Sequence, residues 1–463
     1  MTIAVLALAR TTFDVAHAEA LTTRTVTTLT EAGYDVTGGT RLLTDVETVA
    51  AAVRSIDGAI DAALILFATF SDSTLPVTVA DLIDEPVILW AFPEERTGGR
   101  LRLNSLCGMN LAGHALTLSG RDYRWLYAAP DDPTVPDRFA NALSWARPFV
   151  PRSVPPGQET LVEHDLLRAD EVRRRLSSVT VGVIGDHPEG FEPCAYDPGE
   201  LAGVTGIGVH RVELSDWFVA SRAVDGPAVD TIRARADRRL TGLDTLDQAS
   251  VTASLRLHGG LRSLVREHHW AGVATRCWPE CFTEFGGAAC TPNSLLTDDG
   301  VPGCCEADVH GVVTSLMLQA VADEPAFVAD LVDLHPASNT GVFWHCGNAP
   351  SHMAGTPASA TVHSNRGMPL LNEFALKPGR VTIARLSNAG GEMQLVIGGG
   401  EVIDAPPAFS GTSGVVRFDH PVERVLETVM GRGLEHHYGI AYGDHHAVLA
   451  ALASRWSLPV LAL

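Results

Sequence analysis

Apolar runs alternate with amphipathic stretches along the first part of the chain. Residues 2–9, 62–70 and 86–92 form almost wholly apolar runs that end in loop-forming residues, as is typical of strands buried on both faces. After the first run, apolar positions recur with helical spacing over residues 15–32. Such an alternation of strands and helices predicts a parallel sheet that is covered by helices on both sides.

The pattern changes twice further along the chain. A proline-rich passage over residues 147–158 interrupts the alternation, and a second strand–helix series begins at about residue 177. From about residue 338 the segments shorten, and residues 379–403 form two strand-like runs joined by Asn-Ala-Gly-Gly, the composition of a hairpin. We therefore expect an α/β fold. It comprises two doubly wound, Rossmann-like parallel-sheet domains at residues 1–172 and 173–337, followed by a β-rich, barrel-like domain at residues 338–463.

Charge and hydropathy limit the partners of the chain. Its 463 residues include 34 Lys and Arg against 55 Asp and Glu, which gives a formal net charge of −21. That charge repels phosphate backbones and anionic lipids, so we expect neither nucleic acid nor a membrane as a partner. No apolar stretch approaches the roughly 20 residues that span a bilayer, and no basic segment precedes the first apolar run, so we expect a cytoplasmic protein. The Gly-x-Gly-x-x-Gly fingerprint of dinucleotide sites is missing.

Titratable residues gather before one predicted helix. The segment Gly-Cys-Cys-Glu-Ala-Asp-Val-His-Gly, residues 303–311, leads into an apolar run that predicts a helix with Glu306 in its first turn and its end near Ala322. Residues 325–330 predict the next parallel strand, with Asp330 at its exit. In a right-handed βαβ unit both positions lie at one sheet edge, so Glu306 and Asp330 are expected to converge. Two adjacent carboxylates repel unless a cation or a shared proton lies between them, which favours a divalent metal site.

Further motifs are distributed along the second half of the chain. They are Cys-Trp-Pro at 277–279, Ala-Phe-Val-Ala-Asp at 326–330, Trp-His-Cys-Gly-Asn-Ala-Pro at 344–350 and His-His-Tyr-Gly-Ile-Ala-Tyr-Gly-Asp at 436–444. With residues 303–311, this order resembles the L-fucose isomerase and L-arabinose isomerase superfamily of metal-dependent aldose–ketose isomerases. The resemblance runs from about residue 179 to the end of the chain. It implies an enzyme that interconverts an aldose and its ketose through an enediol.

The resemblance also implies site residues and partners. Glu306 and Asp330 match the family's metal-binding carboxylates, which also act in proton transfer, and His437 matches its late metal-binding histidine. His345 matches a ligand of the arabinose isomerases, whereas the fucose isomerases lack a histidine there. The expected cofactor is Mn²⁺ or a similar divalent cation, and the expected partner is a sugar substrate. The expected assembly is a homo-oligomer, trimeric or hexameric, in which a neighbour's amino-terminal domain closes the pocket.

Other side chains are candidates for contact with the sugar. Those expected to line its pocket are Trp278, Asn348, His436 and His310. A structural role competes with a binding role for each of them, because histidines within helices and amides in loops commonly fix the fold. Glu280 is a similar case. Arg366 and Lys377 could meet an acidic substituent of the substrate, although a solvated surface role is the default for both.

Competing functions remain open at this stage. The cysteines that could hold zinc or an iron–sulfur cluster are Cys277, Cys281, Cys290, Cys304 and Cys305. Their spacing fits no paired Cys-x-x-Cys arrangement, and buried reduced thiols are the commoner outcome. The same fold and metal also suit epimerisation or retro-aldol cleavage of a sugar or sugar acid, or sugar binding without turnover.

Overall fold

The computed structural model describes residues 1–145, 151–156 and 161–463. The proline-rich passage predicted as a domain boundary falls largely on residues outside these ranges. Within the described ranges, no helix combines the length and apolar character that crossing a bilayer requires.

The amino-terminal part forms the first predicted parallel sheet. Its elements are β1 (Thr2–Leu8), α1 (Val15–Glu31), β2 (Asp35–Gly38), α2 (Val46–Arg54), β3 (Ala62–Phe67), α3 (Thr74–Leu82), β4 (Val87–Ala91), α4 (Ser105–Leu118), β5 (Tyr123–Tyr127) and α5 (Val135–Leu143). The five strands are parallel in the order β2-β1-β3-β4-β5. Successive residues of β3 alternate between two hydrophobic cores, one on each face. Burial on both faces explains why this strand is uniformly apolar.

A second parallel sheet follows in the middle of the chain. Its elements are α6 (Glu163–Leu176), β6 (Thr180–Ile184), α7 (Pro198–Thr205), β7 (Gly208–Val212), α8 (Leu214–Arg222), α9 (Gly226–Asp237), α10 (Gln248–His268), β8 (Gly272–Thr275), α11 (Cys290–Thr297), β9 (Gly303–Cys304) and α12 (Val309–Ala322). The strands are parallel in the order β7-β6-β8-β9. Many helices of the chain begin at an aspartate that accepts a backbone N–H three residues ahead, as Asp308 does from Gly311 before α12.

The rest of the chain builds a large mixed sheet that closes on itself. Its elements are β10 (Phe327–His335), β11 (Thr340–His345), β12 (Ser359–Thr361), β13 (Leu371–Ala375), β14 (Gly379–Ser387), β15 (Gln394–Val402), β16 (Thr412–Phe418), α13 (Val422–Arg432), β17 (His437–Tyr442), α14 (His446–Arg455) and β18 (Val460–Ala462). Six antiparallel strands pair in the order β16-β11-β10-β17-β14-β15, and β15 pairs with β16 to complete a barrel. The predicted hairpin is β14–β15. The predicted fold class, two parallel-sheet domains and a β-rich domain, is confirmed.

One predicted strand belongs to a different sheet. The segment containing Asp330 was expected as a parallel strand beside the helix that follows Glu306. It is β10 instead, which runs antiparallel to β11 and β17 within the barrel. An apolar run specifies burial but not the pairing partner, so hydrophobic pattern alone does not distinguish the two sheets. The exact domain boundaries at residues 172 and 337 stay predictions.

The amino-terminal domain packs directly on the barrel. The hydroxyl of Tyr127 and the guanidinium of Arg96 both donate to the buried carboxylate of Asp333 in β10, each at 2.7 Å. From α4, the Asn110 amide donates to the carbonyl of Leu434 at 2.6 Å, just before β17. The acceptor groups of these contacts are buried, and a buried polar group that loses its hydrogen bond is costly. They fix the amino-terminal domain against the strands that carry the site described next.

Candidate active site

Glu306 lies in a tight turn between β9 and α12. Glu306 and Ala307 both adopt left-handed backbone conformations, with φ of 61° and 54°. Two such residues in succession are uncommon outside glycine, and they are found where a fold holds a side chain for function. The expectation that Glu306 occupies the first turn of the helix is wrong, because α12 begins at Val309 after its cap Asp308. The turn, and not the helix, directs the Glu306 carboxylate towards the barrel.

Asp330 and His437 are brought together by the barrel. They are directly paired residues of the antiparallel strands β10 and β17, so their side chains lie on the same face. Asp330 Oδ1 is 3.3 Å from His437 Nε2, and Glu306 Oε2 is 3.6 Å from the same nitrogen. The predicted convergence of Glu306, Asp330 and His437 is therefore present. Its cause is strand pairing across the barrel and not a shared edge of a parallel sheet.

A second carboxylate orients His437 from behind. Nδ1 of His437 donates to Asp308 Oδ2 at 2.8 Å, and the guanidinium of Arg385 contacts both oxygens of Asp308 at 2.5 and 3.0 Å. Although burial opposes ionisation, Arg385 and His437 hold the pKa of Asp308 well below its usual range. The proton of His437 is thereby fixed on Nδ1, and its Nε2 lone pair faces Glu306 and Asp330.

Sequence reasoning assigned no role to Asp308 or Arg385. Asp308 has the position of an ordinary helix cap, and Arg385 alternates with apolar residues along β14. An arginine flanked by apolar residues within a predicted buried strand does carry a signal, because a buried guanidinium requires a carboxylate partner. The sequence does not specify which carboxylate that is.

The donor set fits a divalent cation. Burial lowers the pKa of His437, which keeps its ring neutral, so Nε2 is an acceptor. Asp330 Oδ1 and His437 Nε2 are buried and have no hydrogen-bond partner among the described residues. Two carboxylate oxygens therefore face an imidazole lone pair at 3.3 and 3.6 Å, and the nitrogen that bears it donates to neither of them. Such an arrangement is stabilised by a positive charge at its centre, and carboxylate plus imidazole suits Mn²⁺ or a related ion.

His437 is common to every candidate metal group found in the described ranges. One group is Asp330, His345 and His437, and a second is Cys194, Glu306, His436 and His437. The third, Cys304 with Asp308 and His437, uses the nitrogen that already donates to Asp308. Burial raises the pKa of Cys194 and Cys304 well above its usual value, so both stay neutral thiols and are poor ligands.

The two other histidines of the cluster have different orientations. His436 Nε2 lies 2.9 Å from Glu306 Oε2, and its ring contacts Phe191 edge-on. The backbone N–H of Cys346 donates to Nδ1 of His345 at 2.8 Å, so a proton on the ring is carried by Nε2. In this orientation His345 presents a donor to the centre, and ligation requires it to release the Cys346 bond. Ligation by His345 stays a prediction.

A cavity opens above Glu306 and Asp330. Its walls include Trp278 and His436 among the predicted sugar contacts. Trp278 Nε1 lies 3.4 Å from Glu306 Oε1, so the indole ring borders the carboxylate directly. The amino-terminal domain of the same chain supplies Phe13 and Phe70 to the walls, and closure of the pocket by a neighbour's amino-terminal domain stays a prediction. The cavity therefore has both a carboxylate–imidazole floor and apolar walls within one chain, as small-molecule sites commonly do.

Other predicted contacts lie away from this cavity. His310 is buried in α12, and neither of its ring nitrogens has a partner among the described residues. Asn348 is buried behind the site, with its amide 3.8 Å from Cys305 Sγ. Glu280 pairs with Arg276, and Lys377 lies over the ring of Tyr442. None of these side chains lines the cavity.

The cysteines do not form a metal cluster in the described part of the chain. All eight are free thiols, and each candidate metal group contains at most one of them. Those that line the cavity are Cys107, Cys277, Cys290, Cys305 and Cys346. The zinc or iron–sulfur alternative therefore has no geometric support here.

The fold combines two parallel-sheet domains with a closed barrel, and a candidate metal centre lies at the floor of its cavity. These features are those of a metal-dependent enzyme class that acts on small molecules. Two family models match the chain. Residues 4–147 match the fucose/sulfoquinovose isomerase N-terminal domain, and residues 343–462 match the L-fucose isomerase C-terminal domain.

Curated relatives align over most or all of the chain. A sulfoquinovose isomerase from Alkalicoccus urumqiensis is 30% identical over 468 residues, which span 100% of this chain and 99% of the relative. A sulfoquinovose isomerase from Priestia aryabhattai is 30% identical over 94% of this chain and 93% of its own length. A third, from Clostridium sp. (strain MSTE9), is 29% identical over 83% and 82%. The chain belongs to the L-fucose isomerase superfamily, as its motifs suggested.

Proposed function

We propose that the chain is a divalent-cation-dependent aldose–ketose isomerase. The observation that carries the proposal is the convergence of Glu306 and Asp330 on the free Nε2 of His437, at the floor of a cavity that is lined by aromatic and polar side chains. Isomerisation moves a proton between C2 and C1 of a sugar through an enediol. It therefore needs a carboxylate beside the carbon-bound proton and positive charge beside the sugar oxygens.

Glu306 has the contacts expected of the proton-transfer base. His436 and Trp278 each contact one of its two oxygens, which fixes the plane of the carboxylate at the cavity floor. Although burial opposes ionisation, His436 and His437 lower the pKa of Glu306, so the group is ionised at neutral pH. Asp330 lines the same cavity, where burial raises its pKa. A pair of carboxylates with opposed shifts is the arrangement that separates a base from an acid in one site.

Glu306, Asp330 and His437 would hold the cation, with His345 as a further candidate. Mn²⁺ is our proposal for the ion, because carboxylates suit it and imidazole is compatible with it. When bound, such an ion supplies Lewis-acid stabilisation of the negative charge that develops on the sugar oxygens. Asp308 contributes by keeping the proton of His437 away from the ligating nitrogen.

We propose a sulfonated aldose as the substrate. Three relatives that align over most of the chain are named sulfoquinovose isomerases. Sulfoquinovose is a hexose that carries a sulfonate at C6, so its reactive and charged ends are separate. Homo-oligomeric assembly and a cytoplasmic location stay predictions.

Glu306→Gln tests the assignment. We expect the wild-type protein, freed of metal and resupplied with Mn²⁺, to interconvert sulfoquinovose with its ketose. Deuterium from the solvent should appear at the carbon that receives the proton. The variant should lose activity by about 10²- to 10⁴-fold, the usual contribution of a general base, while its circular dichroism stays unchanged.

Glu280→Gln is the matched control, because Glu280 lies near the site but pairs with Arg276 outside the cavity lining. Full activity in Glu280→Gln together with loss in Glu306→Gln supports the proposal. Full activity in Glu306→Gln contradicts it. An epimeric aldose as product, shorter carbonyl fragments, or binding without deuterium exchange would identify epimerisation, retro-aldol cleavage or sugar binding in its place.

A further inference from the structure

The cavity is electrically asymmetric. Its floor carries the carboxylates of Glu306 and Asp330, whereas its walls carry the guanidinium groups of Arg10 and Arg366. Arg10 follows β1 in the amino-terminal domain, and Arg366 belongs to the loop between β12 and β13. The default expectation for Arg366 was a solvated surface role. The structure places it in the cavity, half-buried.

Trp278 contacts both arginines. The guanidinium carbon of Arg10 is 5.0 Å from the centre of the indole ring, and that of Arg366 is 5.3 Å from it. Each arginine also lies over a second ring, Phe70 at 5.0 Å for Arg10 and Phe282 at 5.1 Å for Arg366. Stacking on aromatic faces holds a guanidinium in place without using its N–H groups, which stay available for an anion.

The two arginines differ in their charge partners. Arg10 forms an ion pair with Asp72, so its charge is already balanced. No carboxylate in the described part of the chain forms an ion pair with Arg366, and the charges that act on it come from cysteines and from Arg10. Burial and the nearby Arg10 both lower the pKa of Arg366, as expected for a guanidinium that is partly desolvated and unpaired. A partly desolvated guanidinium without a carboxylate in contact is well placed to bind an anion that enters the cavity.

The geometry points to a sulfonate-binding subsite formed by Arg366, with Arg10 nearby on the same indole ring. This inference rests on the proposed function and extends it to the residues that select the substrate. A sulfonate presents three acceptor oxygens to the fork of N–H donors on a guanidinium. One unpaired arginine balances the single negative charge of a sulfonate, whereas a phosphate monoester carries about −1.5 to −2 at neutral pH.

Trp278 connects this subsite to the reacting end of the cavity. Its indole N–H lies 3.4 Å from Glu306, while its ring face contacts both arginines. A hexose whose C1 and C2 lie near the carboxylates can therefore place C6 near Arg366, because a single indole ring separates the two ends.

Arg366→Gln tests the subsite when it is assayed with matched sugars. Sulfoquinovose and 6-deoxyglucose differ only in the sulfonate, and glucose 6-phosphate replaces it with a phosphate. We expect kcat/KM for sulfoquinovose to fall about 10- to 100-fold, mainly through KM, because one charge-assisted contact is lost. The value for 6-deoxyglucose should change by less than about twofold. Arg366→Lys should restore part of the loss.

Arg222→Gln is the matched control. Arg222 also lies over two aromatic rings, Phe218 and Phe285, but it lies outside the cavity lining. Arg222→Gln should leave kcat/KM for sulfoquinovose and for 6-deoxyglucose unchanged. If Arg366→Gln reduces turnover of both sugars equally, or leaves sulfoquinovose unaffected, the subsite is refuted. Preference of the wild-type protein for glucose 6-phosphate over sulfoquinovose would also refute the sulfonate assignment.

Calorimetric titration separates this inference from the proposed function. If the wild-type protein with Mn²⁺ turns over none of these sugars, the isomerase proposal fails. Titration of sulfoquinovose and 6-deoxyglucose into the same proteins then still tests the subsite. Tighter binding of the sulfonated sugar that disappears in Arg366→Gln supports it. Equal binding of the two sugars by the wild-type protein contradicts it.

Discussion

Asp308→Asn separates the two roles of the buried carboxylate behind His437. Asp308 and Arg385 are 0% and 1% exposed, and Arg385 contacts both carboxylate oxygens. The asparagine keeps an oxygen for the N–H of Gly311 but removes the negative charge, which leaves the buried Arg385 guanidinium without a carboxylate in contact. Breaking a buried pair in this way costs ~3–5 kcal/mol. Urea unfolding of the metal-free protein should show a loss of that size.

The same change should weaken metal binding. Without the Asp308 carboxylate the proton of His437 is no longer held on Nδ1, and loss of such a partner typically reduces metal affinity about 10- to 100-fold. Isothermal titration with Mn²⁺ measures this loss directly.

The double variant Asp308→Asn with Arg385→Met distinguishes the two effects. Removing the stranded guanidinium should recover most of the stability, because an apolar replacement of a buried pair is often neutral. It should not recover Mn²⁺ affinity, because His437 still lacks its carboxylate. Wild-type Mn²⁺ affinity in Asp308→Asn, or recovery of affinity in the double variant, would refute the proposed role of Asp308.

Two further predictions concern stability away from the site. Burial lowers the pKa of His258 from 6.5 to about 4, so between these values the unfolded chain binds a proton that the folded chain does not. The contribution of His258 to stability should therefore fall by about 3 kcal/mol as the pH falls from 6.5 to 4. Urea unfolding of His258→Asn should lose less stability than the wild-type protein over this range, and identical pH dependences would contradict the reasoning. A Cβ on Gly260 would lie 2.6 Å from the backbone nitrogen of Ser221, so Gly260→Ala should cost ~1–3 kcal/mol. Gly226→Ala, where no atom lies within 4 Å, should be neutral or slightly stabilising, and equal thermal midpoints for the two variants would refute the packing argument.

Local elements were predictable because they depend on neighbouring residues. The helix expected over residues 15–32 is α1 (Val15–Glu31), and the hairpin expected over residues 379–403 is β14 and β15. Both follow from apolar spacing and turn composition, which act within a few residues. The partner of β10 was not predictable in this way, because burial on both faces is common to a parallel sheet and to the interior of this barrel assembly.

The candidate site was only partly predictable for the same reason. Glu306, Asp330 and His437 were selected through their resemblance to family motifs, and the structure brings them together. The prediction that they meet at one edge of a parallel sheet was wrong, because Glu306 precedes α12 and Asp330 belongs to the barrel. Asp308 remained hidden because a helix cap and a buried charge partner have the same sequence pattern. Pairing between residues 77 positions apart, such as Asp308 and Arg385, leaves no local trace.

The pairing of β10 with β17 has a consequence for how the centre responds to different ions. The ladder hydrogen bonds that place Asp330 opposite His437 set the distance between these two donors before any ion arrives. Glu306 is attached to a short turn outside the ladder, so its carboxylate is not tied to the strand register. Cations of unequal size should therefore be accommodated mainly by a shift of the Glu306 carboxylate together with its contacts to His436 and Trp278, while the strand-borne donors keep their spacing.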